Sequence, residues 1–190
     1  MSIKQNHPHS GTLSPEFALL GFLVSEPSHG YDLHQRFVTE LGNVWHLSQS
    51  QAYAILKRLE NRGDISVRLI AQDKLPSRQM LHITPMGRQR FMDWLQDGCG
   101  RNARSIRLEF LTRLYFSNLY TPENTPKIFS MQCAEIEGSI QRLEDLINHL
   151  SSDQPYNRLS LDLRLRQMKL IQSWMVEIKA QFHILTERNL

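Results

Sequence analysis

The sequence predicts a mainly α-helical chain with a small β-hairpin wing, and two patterns carry that prediction. Between residues 14 and 97 the order is helix, helix, helix, hairpin, helix, which is the layout of a winged helix-turn-helix. Beyond Gly98 and Gly100, which flank Cys99, the apolar residues fall into heptad spacing, the mark of long helices that pair along a narrow seam. The expected division is a flexible tail at 1–13, a winged helix-turn-helix at 14–97, a linker at 98–104 and an α-helical, coiled-coil-like dimerisation domain at 105–190.

Ser14-Pro15 predicts the first helix start, with Ser14 as N-cap and Pro15 at the first helical position. The run Phe17 to Val24 is almost continuously apolar, so this helix should be central to the core. Pro27-Ser28-His29-Gly30 reads as a turn, followed by a helix carrying Tyr31, Leu33, Phe37, Val38 and Leu41 and ending at Gly42-Asn43. Ser48 is the N-cap of a third helix, whose Ala52, Ile55, Leu56 and Leu59 form an i, i+3, i+4, i+7 stripe. At about 100° per residue the opposite face carries Ser50, Ala54, Lys57, Arg58 and Asn61, flanked by Gln51 and Tyr53. Gly63 stops the helix. Two β-like segments, 65–71 and 79–84, are joined by a polar tip at 72–78, and Thr84-Pro85 caps a fourth helix bearing Met86, Phe91, Trp94 and Leu95.

The second half opens with an apolar-rich helix over 105–120, broken at Thr121-Pro122. A helix starting at Pro126 then carries Phe129, Cys133, Ile136, Ile140, Leu143, Ile147 and Leu150 at alternating spacings of four and three. After a polar turn at 151–155 the last helix repeats the pattern with Leu161, Leu165, Met168, Ile171, Met175, Ile178, Phe182 and Leu185. Two such helices satisfy part of each stripe as a hairpin and the remainder against a second subunit, so a homodimer is expected. The dimerisation residues are Phe129, Ile136, Ile140, Leu143, Ile147, Met168, Met175 and Phe182.

Composition removes most other classes. The chain has 190 residues, 41% hydrophobic and 22% charged, with a net charge of +3, a globular rather than disordered balance that hints weakly at an anionic partner. Its two cysteines are too far apart for CxxC chemistry, and no apolar run reaches the ~18 residues of a membrane span. The polar start of the chain lacks a signal-peptide core, so a cytoplasmic location is expected. His7 and His9 alone do not make a metal site, and His29, His34, His46 and His82 lack metal-ligand spacing. With no nucleophile elbow, P-loop, dinucleotide fingerprint or HExxH, neither an enzyme nor a cofactor is expected.

The basic residues are more informative. From 57 to 78, six Lys or Arg (Lys57, Arg58, Arg62, Arg68, Lys74 and Arg78) face three carboxylates, a local excess of +3 on the third helix and the hairpin. A charge-rich helix and hairpin can simply be solvated. Here, however, the cations share a face with Ser50, Gln51 and Asn61, short polar groups that reach base edges in a major groove. Double-stranded DNA is therefore the expected partner. Tyr53, at the edge of the stripe, either offers its hydroxyl to a phosphate or packs its ring under the wing; the phosphate-facing hydroxyl is the preferred reading, which adds Tyr53 to the expected DNA contacts. Trp45, Trp94 and Trp174 read first as core residues.

The segment from Leu47 to Ile65 resembles the recognition-helix signature of PadR-type transcriptional regulators, through Leu47, Ser48, Gln51, Tyr53, Leu56, Arg58, Leu59, Glu60, Gly63 and Ile65. The segments 18–23 and 27–33 are similar to the first two helices of that family, Pro76-Ser77-Arg78 to its wing motif and 83–88 to the entry of its fourth helix. The run 107–116 resembles the helical domain of the longer subgroup, also seen in virulence activators. Two positions depart from the pattern. Asp64 stands where an apolar residue is usual, and Leu75 precedes Pro76 where glycine is common, although leucine does not readily adopt φ > 0.

The resemblance implies a bacterial, cytoplasmic, dimeric DNA-binding regulator, in most of the family a repressor, with some members responding to small aromatic molecules. An effector pocket would then draw on aromatic residues near the predicted junction, Trp45, Phe91, Trp94 and Trp174. Dimerisation through the helices starting near 126 and 158 would set two recognition helices roughly one DNA turn (~34 Å) apart, which requires an inverted-repeat operator. Lys57 and Arg58 would contact phosphate or guanine, Ser50, Gln51 and Asn61 bases or sugars, and Arg68, Lys74 and Arg78 the backbone through the wing. The competing reading is a winged-helix protein-interaction adaptor that never touches DNA.

Overall fold

The computed structural model describes residues 13–72, 75–98 and 100–187. His7, His9, Lys74 and Cys99 lie outside the described residues, as do the side chains of Arg78, Phe182 and Leu185. The chain divides into two compact units, the first within Met1–Asp97 and joined by Leu111–Phe116, the second comprising Gly98–Phe110 and Ser117–Leu190.

In the first unit, α1 (Glu16–Ser25) is apolar all round and buried from Glu16 to Leu23, as its sequence requires of a central helix. It begins one residue later than predicted. Pro15 occupies the cap position, its carbonyl accepting from the amides of Ala18 and Leu19, and Ser14 Oγ lies instead 3.5 Å from an Arg58 nitrogen. The expected turn at 27–30 is also corrected. Ser28–His29 forms a short strand, β1, which precedes α2 (Gly30–Leu41). Helix α3 spans Gln49–Asn61, and a hairpin of β2 (Ile65–Gln72) and β3 (Leu75–Ile83) leads to α4 (Pro85–Gln96).

The sheet is antiparallel in the order β1-β3-β2, with Ser28 opposite Leu81 and Ile65 opposite Ile83. β1 covers an edge of β3 that would otherwise offer unpaired backbone groups, a tertiary requirement that local turn propensity does not reveal. The hairpin is longer than predicted, since pairing continues to Gln72 opposite Leu75, with an irregularity between Ile70 and Gln72. Thr84 caps α4 as expected, its hydroxyl accepting from Gly87 N at 3.1 Å.

Aromatic rings organise this core. The guanidinium of Arg90 lies 4.9 Å from the ring centre of Phe17, Phe17 stacks on Trp94 at 4.7 Å, and Arg113 covers Trp94 at 4.5 Å. Arg113 also donates to the carbonyls of Trp94 and Asp97. Trp45 Nε1 donates to Thr112 Oγ1 at 2.8 Å, and a Cβ at Gly21 would meet the Phe116 ring at 2.5 Å. Leu111–Phe116 thus packs with the first unit although it follows the 98–104 stretch in sequence. Non-local aromatic packing sets this division, which a linear composition shift cannot show.

The second unit opens with α5 (Ala103–Ser105), which runs through a π-helical segment (Ile106–Phe110) into α6 (Leu111–Tyr120), a helix whose residues up to Phe116 belong to the first unit. The helical run starts inside the predicted linker because Asn102 caps it, its side chain accepting from Ser105 N at 2.9 Å. Helix α7 (Thr125–Asn148) has Pro126 in its first turn, and α8 (Pro155–Glu187) packs against it as a helical hairpin. Phe129, Ile136, Ile140 and Leu143 of α7 and Met168 and Met175 of α8 are buried in the single chain. Of the α7 seam positions, Cys133 is only half-buried; its neighbour Gln132 is buried instead. Ile147 is half-buried. Among the described residues no helix is long and apolar enough to cross a membrane.

Candidate nucleic-acid interface

Helix α3 is fixed at both ends by local chemistry. Ser48 and Gln51 form a reciprocal capping box: Ser48 Oγ accepts from Gln51 N at 3.2 Å and Gln51 Oε1 from Ser48 N at 3.0 Å. At the other end Gly63 adopts φ +77, Gly63 N donates to Glu60 O and Asp64 N to Leu59 O, the bond pair of a Schellman motif. Ala52, Ile55, Leu56 and Leu59 are buried as predicted, which turns the opposite face outward. The buried His34 adds a tertiary anchor, its Nε2 bonding the carbonyl of Leu47 just before the helix at 2.9 Å.

The predicted contact residues separate into three groups on this scaffold. Ser50, Ala54, Lys57 and Asn61 occupy the centre of the exposed face. Lys57 Nζ pairs with Glu60 Oε2 at 2.8 Å and is the most central cation of the helix. Gln51 is exposed, but its amide oxygen is committed to the cap. The S-x-x-Q spacing is the sequence signal for that role. Arg68 is exposed on β2, and Arg78 on β3 pairs with Ile70, two residues along the strand.

Tyr53 lies on the flank nearer the sheet. A Cβ at Gly30 would sit 2.9 Å from Tyr53 Cε1, so the ring rests on the first turn of α2 and a side chain there would displace it. The same ring lines a groove of about 670 Å³ with His29, Lys57, Glu60 and Gln79, and its residue is 46% exposed. The ring thus packs against α2 while the residue stays half exposed along the groove.

Arg58 lies on the opposite flank, and here the structure adds a feature that sequence reasoning missed. Arg58 and Arg62 reach Glu16 at 3.4 and 3.1 Å, Arg62 also reaches Asp64 at 3.1 Å, and Arg90 bridges both carboxylates at 2.5 and 2.6 Å. Glu16 and Asp64 are buried, so the arginines neutralise charges that would otherwise be costly inside the protein. Burial pushes the Glu16 carboxyl upward, but the hydrogen bond and charge of Arg90, with those of Arg62, outweigh it and hold the group below its ordinary value. The only sequence signal was Asp64 itself, an acid at a position expected to be apolar.

The proposed effector residues are placed differently. Phe91 and Trp94 are buried in the aromatic packing of the first unit and Trp45 is buried there with its indole bonded to Thr112, whereas Trp174 belongs to α8 of the second. Among the described residues no group of His, Cys, Asp and Glu is arranged to hold a metal ion.

An exposed, doubly capped helix beside a β-hairpin defines a winged helix-turn-helix fold. Residues 19–93 match the transcriptional regulator PadR-like family. Over that stretch the chain is similar to PadR-like transcriptional regulators. Over 177 residues it is 28% identical to the negative transcriptional regulator PadR of Bacillus subtilis, covering 87% of this chain and 95% of that protein. A solved structure of Bacillus subtilis PadR in complex with operator DNA is similar at 26% identity over 87% of this chain and 96% of that one, with a TM-score of 0.44. Another, in complex with p-coumaric acid, is similar at 26% identity over 88% and 94%, with a TM-score of 0.40.

Proposed function

We propose that this protein is a homodimeric repressor that binds an inverted-repeat operator in double-stranded DNA through α3 and the hairpin. The observation that carries the reading is the outward polar face of Ser50, Lys57 and Asn61 on a helix capped at both ends. The similarity to PadR-like regulators and to the negative regulator from Bacillus subtilis supports the regulatory role and its sign. On DNA, Lys57 exchanges Glu60 for phosphate or guanine, with Ser50 and Asn61 beside it on base edges or sugars. Arg68 and the other hairpin cations hold backbone phosphate. Arg58 contributes less than its position on the helix suggests, because Glu16 already engages its guanidinium.

Anisotropy titrations against genomic upstream fragments at several salt concentrations test the reading. Lys57→Ala should weaken binding to all sequences and flatten the salt slope by about one unit. An unchanged slope would mean the face is assigned wrongly, and a salt-independent duplex affinity in the parent protein would favour the adaptor reading.

The dimer reading is supported by a second apolar stripe on α8. Tyr156, Leu159, Leu163 and Leu170 share one side of the helix and are 84, 66, 58 and 72% exposed. Leu163→Lys should convert a species of twice 22.2 kDa into one of 22.2 kDa in light scattering. A parent protein already monomeric at micromolar concentration would refute the dimer.

Release by a small aromatic effector belongs to the same proposal through the resemblance alone. With Trp45 and Trp94 buried in the core, a site built on them requires that core to open. A phenolic acid that binds there should shift thermal unfolding; no shift at saturating ligand counts against it.

A further inference from the structure

Within the second unit a cleft of about 300 Å³ lies among the 101–103 segment, α7 and α8. Three arginines line it, Arg101, Arg142 and Arg164, together with the polar side chains of Asn102 and Gln167, and no carboxylate is among its lining residues. Met168 and Leu143, both buried, give it an apolar floor. The arginines are not equally neutralised. Arg101 pairs with Glu135 through Nε at 2.6 Å, whereas Arg142 and Arg164 have no carboxylate within 4.0 Å among the described residues.

Arg142 is also held in place. It donates to Ser139 Oγ at 3.0 Å, and that hydroxyl itself donates to the carbonyl of Glu135 at 2.8 Å. One turn back along α7 stands Gly138, where a Cβ would approach an Arg142 nitrogen to 3.2 Å. The guanidinium therefore lies against the helix surface and gives up part of its rotamer freedom before any ligand arrives.

We propose that this cleft is a binding site for a small organic polyanion of the phosphomonoester or di- or tricarboxylate class. Like charges gathered at a concave surface raise the local potential and concentrate anions. Planar guanidinium groups match the paired oxygens of phosphate and carboxylate. The apolar floor takes a short carbon skeleton and disfavours a fully hydrated ion. An occupant bridging the three arginines ties the 101–103 segment to α7 and α8, so binding stabilises the second unit.

Calorimetry and thermal unfolding of the full chain test this, with inorganic phosphate and citrate as probes against sodium chloride at equal ionic strength. The expected result is saturable binding of at least one probe, with a Tm rise of roughly 5–10 °C at a hundredfold excess over Kd. Arg142→Gln and Arg164→Gln should each weaken that binding by about tenfold or more, as expected for losing a charge-assisted bond. Both side chains are exposed, so the variants should keep the parent circular dichroism. An equal Tm rise in the parent and the double variant would reveal general salt stabilisation and overturn the site. So would loss of duplex affinity in these variants with no anion binding in the parent, which would assign the arginines to DNA backbone.

Discussion

Arg90→Ala should lower unfolding free energy by about 3 kcal/mol, the lower end of the cost of breaking a buried ion pair. The lower end applies because Arg90 is one quarter exposed and Arg62 still reaches both carboxylates. The substitution also removes the guanidinium over Phe17. For a chain of this size the loss corresponds to a fall of roughly 6–12 °C in Tm. Denaturant unfolding at fixed protomer concentration measures it, and a change below ~1 kcal/mol would mean that the cluster is solvated.

The same cluster sets a sign for pH dependence. Glu16 has a lower pKa folded than unfolded, so its contribution is fully present above the unfolded value of about 4.3 and is lost as pH falls through the folded value. Glu16→Gln should flatten the stability profile in that acid window.

Gly87→Ala should cost about 3 kcal/mol or more, at or beyond the upper end of overpacking. A Cβ there would lie 2.0 Å from the Asp64 carbonyl oxygen. That oxygen cannot simply retreat, because it accepts from Thr84 N at 3.0 Å and from Thr84 Oγ1 at 3.1 Å. Making room therefore separates the first turn of α4 from the start of β2 and opens the base of the wing. Gly87 has ordinary helical backbone, so the cost is contact rather than conformation, and thermal unfolding close to the parent value would disprove the close approach.

Ser48 and Gly63 were legible because each acts on backbone within a few residues, and so does Thr84 at the start of α4; Gln51, read as a base or sugar contact, proved to be the reciprocal half of the α3 cap. The outward face of α3 followed from its buried stripe for the same reason: both are consequences of one 3.6-residue period. Glu16 and Arg90 are 74 residues apart, and no local pattern pairs them. Arg58 shows the consequence for the site, since periodicity places it on the polar face while only packing brings Glu16 against it. On α8, a heptad pattern identifies apolar stripes but not which one meets α7. The chain buries Met168 and Met175 and leaves Leu159, Leu163 and Leu170 outside.

The sequence by itself thus determined most of the helices, the caps of α3 and α4, the hairpin and the outward polar face of α3, because these depend on neighbours in the chain. Only tertiary structure decided which cations are already paired, where the aromatic residues are consumed, and which stripe and which arginines stay open. Those outcomes depend on charges and surfaces that meet across tens of residues, where desolvation and close packing outweigh local propensity.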